Sequence, residues 1–309
     1  MQLLLLVPLY LIHVLWLSQH RLALPGWLAG VAELENLAGC AALAAFAASR
    51  RRLRVAERMR RFADASRAAH SRHTVTALLE TTATLLLAYL VAGRVGIGSE
   101  RLLQWLSERG VPLSAGTSRA LHVLAGHLSW VLMAVRVLGA RLPPFFARGG
   151  WIELRWRGAA WAAWALGGYA LSVAGYNAVE VLNSAVLPAE AYLEETVAGQ
   201  LVRPDDGGLV ARALGGVGPC VTAPVFEEVL YRGFLLPALL RLGLPLRAAI
   251  GANALLFALH HDSLQALLPL TFLGGLWACL YAATEGNLLV TVLVHAMWNW
   301  RIFLVRGLG

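Results

Sequence analysis

Long apolar segments separated by short polar ones are the feature that most constrains how this chain can fold. Of its 309 residues, 58% are hydrophobic and only 14% are charged, whereas a soluble domain carries about 25% charged residues. A helix of about 20 apolar residues crosses a bilayer with all its backbone groups bonded internally. The composition therefore predicts an all-α, polytopic transmembrane helix bundle.

Long stretches of apolar residues indicate where the membrane helices lie. The candidate spans are residues 1–18, 27–49, 74–96, 121–140, 161–187, 224–240, 246–261, 264–284 and 288–305. Glu33 and Glu35 weaken the second span, and His127 and Arg136 interrupt the fourth. We therefore expect about eight to nine membrane helices and an integral, multi-pass membrane protein whose constant partner is the lipid bilayer.

The charged loops predict an orientation in the membrane. All 26 basic residues are arginines, and nine of them lie in residues 50–72. This segment is read as a loop on the cytoplasmic or stromal side, in preference to an amphipathic segment on an anionic membrane surface. Three predicted spans separate it from the acidic segment 190–206, which should lie on the opposite side.

The arginine content bears on partners and location. Because the arginines are spread over membrane loops, we expect no nucleic-acid partner for the chain, despite its net charge of +8. Arginine used without lysine is typical of a GC-rich genome, bacterial or green-algal. The expected location is the plasma membrane in a bacterium, or a plastid (chloroplast) membrane in a green alga.

Two adjacent glutamates and an arginine stand inside an apolar segment. A charged side chain near the bilayer centre costs about 2.5–3.5 kcal/mol, so Glu227, Glu228 and Arg232 indicate function. On a helix, Glu228 and Arg232 are at i and i+4 and can pair, while Glu227 points about 100° away. Thr222 and Pro224 suggest a helix start, which would place Glu227 in the first turns, where the helix dipole favours a carboxylate.

Two further polar groups follow in the last third of the chain. His260 and His261 end the short span that begins near residue 246, and His295 and Asn299 share one helix face at i and i+4. Buried polar groups need partners, and these groups can supply one another. We therefore predict a single site shared by three helices.

These motifs resemble those of the CPBP family of intramembrane proteases, also called the Abi or type II CAAX prenyl endopeptidase family (lysostaphin-resistance-protein-like). The matching patterns are EExxxR at 227–232, FxxxH at 257–261 and HxxxN at 295–299, and residues 267–274 and 285–289 resemble photosynthetic-lineage members. FxxxH selects His261, which leaves the role of His260 open. The resemblance covers about residues 155–305. We therefore divide the chain into unassigned N-terminal membrane helices with the arginine-rich segment, 1–154, and a CPBP/CAAX protease-like core, 155–309.

The resemblance implies an intramembrane endopeptidase acting on a membrane-associated protein or peptide, whether prenylated at a CaaX sequence or not. It assigns the site to Glu227, Glu228, Arg232, His261, His295 and Asn299. Glu227 would be the general base that activates water together with His261, and Arg232 would hold Glu228 as a structural carboxylate. His295 and Asn299 would donate hydrogen bonds to the oxyanion.

Metal dependence and catalytic activity are both left open by the sequence. Glu227, His261 and His295 could bind a divalent metal such as zinc, which would make the protein a metalloendopeptidase. The chain has no HExxH motif, and the same atoms serve a metal-free mechanism. The alternative function is a non-catalytic CPBP-fold scaffold or regulator of a partner protein. A transporter is disfavoured, because no internal inverted repeat is present.

Overall fold

The computed structural model describes residues 2–19, 34–48, 51–69, 73–147, 149–156, 161–192 and 196–308. These residues form eleven helices and no β-strand, apart from one isolated bridge between Glu153 and Asn287, which confirms the all-α prediction. The helices are α1 (Gln2–Leu15), α2 (Leu34–Ala48), α3 (Arg51–Ala69), α4 (Val75–Glu108), α5 (Ala115–Arg141), α6 (Trp161–Val186), α7 (Val197–Val202), α8 (Gly208–Arg241), α9 (Leu246–Leu259), α10 (Leu264–Ala283) and α11 (Leu288–Leu308).

Five of these helices are long and apolar enough to cross a membrane: α4, α5, α8, α10 and the Leu288–Val305 part of α11. Helices α1 and α9 are apolar but have only 14 residues each. Helix α6 has 26 residues but includes Asn177, Glu180 and Asn183, and it is not among the five. A polytopic bundle is thus supported, and the count of eight to nine membrane helices stays a prediction. The first part of the predicted second span, up to residue 33, lies outside the described residues.

The arginine-rich segment, predicted as a loop, is largely the helix α3. It lies across the C-terminal ends of two core helices: Arg61 Nη2 is 3.1 Å from Glu285 Oε1, just after α10. Arg67 Nη2 donates to the carbonyl oxygen of Leu244, just after α8, at 3.4 Å. Contacts from both arginines therefore fix α3 at one end of the bundle.

The acidic segment meets the opposite end of the bundle. Asp206, two residues before α8, accepts hydrogen bonds from the backbone N–H groups of Ala115 and Gly116 at 3.1 and 2.5 Å. These donors are the otherwise unpaired first amides of α5, and the bond from Gly116 holds the pKa of Asp206 below its ordinary value. Since α8 separates Asp206 from the α3 contacts, the two charged segments lie at opposite ends, as expected. Which end faces the cytoplasm stays a prediction.

A buried polar cluster fastens the N-terminal helices to α11. Glu35, on α2, is almost fully buried and forms a bidentate ion pair with Arg301. Its carboxylate also accepts from Asn177 Nδ2 at 2.8 Å and from Ser18 Oγ at 2.7 Å. A lone glutamate weakens a predicted span, but a paired and fully hydrogen-bonded one is tolerated there.

Apolar side chains of α8, α10 and α11 fill the core around the motif residues. Phe234, Trp277 and Val294 are essentially inaccessible to solvent. Gly274 permits a close approach of α10 to α9, since a Cβ at this position would lie 3.0 Å from the Cα of Ala254. The tight packing brings α8, α9, α10 and α11 together around one point.

Candidate active site

Helix α8, which carries the glutamate pair, contains two wide turns. These are Gly218–Thr222 and Val229–Leu235, where the hydrogen bonds run from i to i+5. Pro224 and Pro237 follow them and lack the N–H that would close an ordinary α-turn. Turns of this kind are frequent at functional sites, and here they flank Glu227 and Glu228.

The predicted helix start at Thr222 is wrong. Thr222 has helical backbone angles, and the helix runs without a break from Gly208 to Arg241. Glu227 therefore lies deep inside a long helix, too far from its N-terminus for the helix dipole to act on the carboxylate. Its environment must come from other helices.

Glu228 is held in a buried ion pair. Its Oε1 accepts from Arg232 Nη1 at 3.1 Å, and both side chains are fully buried. The pairing expected from the i, i+4 spacing is therefore present. The same oxygen lies 3.1 Å from His295 Nδ1, and Arg232 Nη2 donates to the Gly274 carbonyl at 3.0 Å. One buried ion pair thus links α8, α10 and α11.

Aromatic rings enclose the arginine. The guanidinium carbon of Arg232 lies 4.8 Å from the ring centroid of Phe257 and 5.6 Å from that of Trp277. Cation–π contacts of this kind are strongest where water is absent. They lower the cost of burying the charge and fix the position of the FxxxH phenylalanine.

Glu227 presents a carboxylate oxygen to two histidines. Its Oε2 lies 4.0 Å from His261 Nε2 and 3.9 Å from His295 Nε2, and it is buried without a hydrogen-bond partner. These distances are too long for direct hydrogen bonds. Polar groups more than 3.5 Å apart can be bridged by a water molecule, which needs two to four polar partners.

The tautomers of both histidines follow from their second nitrogen. His261 Nδ1 is 2.8 Å from the Phe257 carbonyl, which only accepts, so Nδ1 carries the proton. His295 Nδ1 likewise donates to the Glu228 carboxylate. In their neutral forms, both rings therefore direct an Nε2 lone pair toward Glu227. A molecule that donates hydrogen bonds, such as water, would therefore fit between the Glu227 carboxylate and the two Nε2 atoms.

Asn299 is placed differently from the other motif residues. It lies one turn after His295 on α11, but its Nδ2 donates to the carbonyl of Pro219, in the first wide turn of α8, at 2.6 Å. The structure therefore does not bring this amide against Glu227. Its expected role as an oxyanion donor stays a prediction.

A metal site is not formed by the side chains as they stand. Among the residues that the structure describes, no group of three His, Cys, Asp or Glu side chains is arranged to hold a metal ion. Glu227, His261 and His295 approach one another, but their nitrogens and oxygen are not set as a ligand cage. Binding of a divalent metal such as zinc stays a prediction.

His127 and His260 were not assigned to the site from the sequence, yet both interact electrostatically with Glu227. His127 comes from α5, where the sequence indicated only an interruption of a span. No local motif marks it, because its proximity to Glu227 depends on how α5 packs against α8.

The site is more exposed on its His261 side. The His261 side chain is 31% exposed, whereas that of His295 is only 4% exposed. Helix α9 runs back along α8 for only 14 residues, so His261, which follows it, lies at the level of Glu227 in the middle of α8.

Comparison with known proteins places these features in a family. Residues 210–301 match the family model described as Type II CAAX prenyl endopeptidase Rce1-like, and this range contains all three motifs. No curated protein and no solved structure matches the chain. The division at residue 154 stays a prediction, since the match begins inside α8. From residue 210 to residue 301, the chain is similar to the Rce1-like type II CAAX prenyl endopeptidases, which confirms the resemblance to the CPBP family.

Proposed function

We propose that this protein is an intramembrane endopeptidase that cleaves a membrane-associated protein or peptide with a water molecule activated by Glu227. The observation that carries the proposal is the buried, unpartnered Oε2 of Glu227, which faces the Nε2 atoms of His261 and His295. The endopeptidase family match covers all three residues.

The hydrolysis uses Glu227 as general base. A water molecule donates one hydrogen bond to Glu227 Oε2 and the other to an imidazole Nε2, and its oxygen attacks the scissile carbonyl carbon. Glu227 takes the proton as the new C–O bond forms. It then delivers this proton to the leaving nitrogen as the C–N bond breaks, so Glu227 returns to its starting state. A well-placed general base contributes about 10²–10⁴-fold to the rate.

Glu228 and Arg232 support this chemistry without contacting the substrate. Arg232 compensates the charge of Glu228, so the adjacent Glu227 can stay ionised without an uncompensated neighbour of like charge. Glu228 in turn orients His295 through Nδ1, which directs Nε2 toward the water. The ion pair therefore positions the reacting groups and does not itself touch the substrate.

Peptides that end in a prenylated CaaX sequence are the first substrates to test, as the family description names this class. Purified protein in liposomes would be incubated with a quenched fluorogenic peptide of this kind and with the same peptide lacking the prenyl group. We expect cleavage by the wild type, and loss of at least about 100-fold in kcat for Glu227→Gln, which keeps the shape but not the basicity. Glu80→Gln, on the exposed face of α4, is the matched control and should cleave normally.

Three outcomes distinguish the glutamate mechanism, a metal-dependent mechanism and a non-catalytic role. Equal cleavage by wild type and Glu227→Gln would contradict the mechanism. Loss of activity on chelation, with recovery on adding zinc, would assign Glu227, His261 and His295 to a metal after all. A folded protein that cleaves neither peptide would favour the non-catalytic scaffold.

A further inference from the structure

Helix α5 lies outside the matched family region but contributes a side chain beside the catalytic carboxylate. The ring of His127 lies 6.4 Å from that of Phe226, the residue preceding Glu227. His127 also interacts electrostatically with Glu227. Its Nε2 is buried and has no hydrogen-bond partner.

A second histidine near Glu227 also has a buried ring nitrogen without a hydrogen-bond partner. His260 has a buried Nδ1 with no partner, and its ring lies 5.2 Å from that of Tyr89 on α4 and 5.8 Å from that of His261. His260 and His127 also interact with each other. Two imidazoles beyond the family motifs therefore lie close to Glu227, where α4 and α5 pack.

Buried ring nitrogens of this kind are unusual in a role of pure packing. The great majority of buried side-chain polar atoms have a partner, and an unpaired one needs an explanation such as a catalytic role or a bound molecule. Elsewhere in this chain, a buried histidine such as His13 is hydrogen-bonded at both ring nitrogens. The free Nε2 of His127 can therefore bind a group that arrives from outside, and it is a donor in the tautomer that carries the proton on Nε2.

The proposed reaction needs such a donor. The Nε2 lone pairs of His261 and His295 point toward the water held by Glu227, and the amide of Asn299 donates to Pro219. Asn299 thus keeps at most one amide N–H for the developing oxyanion, whose stabilisation is usually the largest single effect in acyl transfer.

We propose that His127 donates a hydrogen bond from Nε2 to the carbonyl oxygen of the scissile peptide bond, so that the N-terminal helices complete the active site. This inference rests on the endopeptidase function proposed above. It assigns a catalytic role to α5, which the family match does not reach.

Trp130 is the main rival on the same helix. It lies three residues after His127, and its Nε1 is likewise buried without a partner. Its ring packs edge-on between Tyr89 and Phe226, with centroid distances of 5.5 and 5.3 Å. Its Nε1 is the competing donor, so the experiment includes Trp130→Phe to separate the two side chains.

The test compares His127→Leu, which removes the donor, with His127→Gln, which keeps a side-chain N–H. The matched control is His122→Leu, since His122 lies about 140° around α5 from His127. Each protein in liposomes would be assayed for kcat and KM on the fluorogenic CaaX peptide, and for melting temperature. We expect His127→Leu to lower kcat about 10²–10³-fold with little change in KM. His127→Gln should recover a large part of that loss, and His122→Leu should match the wild type.

The outcomes distinguish this inference from the proposed function. If Glu227→Gln is inactive but His127→Leu retains kcat within about two-fold of wild type, the donor role of His127 is refuted and the proposed endopeptidase function is retained. Equal kcat losses in the Leu and Gln variants would overturn the donor role, as would a loss confined to Trp130→Phe. If His127→Leu does not fold, the kcat of the folded His127→Gln protein decides: at least one-tenth of wild type supports the donor, and less refutes it. Absence of cleavage by the wild type counts against the proposed function and this inference together.

Discussion

Replacing Arg232 with alanine should destabilise the protein more than any change at an exposed arginine. Arg232 and Glu228 are both fully buried, and among the residues that the structure describes they form ion pairs with each other and, from Glu228, with His295. Removing one member of a buried ion pair costs about 3–5 kcal/mol, because the remaining charge is left uncompensated. For a chain of this size, this corresponds to a fall in melting temperature of roughly 6–20 °C.

The double variant Glu228→Gln, Arg232→Met should recover part of that loss. It removes both charges, and replacing a buried pair with groups of similar volume is often close to neutral. What remains is the Gly274 carbonyl, which loses the Nη2 donor at 3.0 Å, and an unsatisfied buried acceptor costs about 1–3 kcal/mol. The double variant should therefore melt between Arg232→Ala and the wild type.

Thermal unfolding in detergent, followed by tryptophan fluorescence, measures both effects. Arg136→Ala is the control, since Arg136 is exposed on α5 and its removal should leave the melting temperature unchanged. Our reasoning would be refuted if Arg232→Ala melted with the wild type, or if the double variant melted below the single one.

Three further predictions concern the site, the acidic end and the topology. His261→Ala should lower kcat about 100-fold or more without lowering the melting temperature, since the side chain is partly exposed; unchanged kcat would argue against its place beside the water. Because the Gly116 amide lowers the pKa of Asp206, the carboxylate stabilises the fold above its ordinary pKa of about 3.9 and loses this effect as the pH falls through the lowered value. The difference in melting temperature between wild type and Asp206→Asn should thus shrink at low pH, and a constant difference from pH 7 to pH 3 would disprove this account. In a background without native cysteines, single cysteines at Asp64 and Ala198, both exposed, should react with an impermeant reagent from opposite sides of the membrane; labelling from one side would disprove the predicted topology.

The pairing of Glu228 with Arg232 was predictable from sequence because it depends only on helical spacing. The start of the helix was not, since Thr222 followed by Pro224 has the same pattern as a capped N-terminus. Inside a membrane bundle, proline is tolerated where other helices satisfy the freed carbonyls. Here Asn299 donates to the carbonyl of Pro219, five residues before Pro224, at 2.6 Å, and this contact joins residues 80 positions apart.

The position of His127 shows a second limit of the sequence. Motifs marked the histidines of α9 and α11, but His127 lies outside them and 100 positions before Glu227. Likewise, the HxxxN spacing correctly predicted that Asn299 and His295 share a helix face. It could not show that Pro219, in a distant wide turn, accepts the amide hydrogen of Asn299.

The wide turn at Gly218–Thr222 also affects how this helix tolerates insertions and deletions. Such a turn holds one residue more than an α-turn, so deleting one residue inside it would restore ordinary winding and leave the two halves of α8 in nearly their present relative rotation. The half with Glu227 and Glu228 is fixed by the ion pair to α10 and α11. A one-residue deletion in the regularly wound segment before Gly218 would instead rotate the half that packs against α5 by about 100° and disrupt that interface.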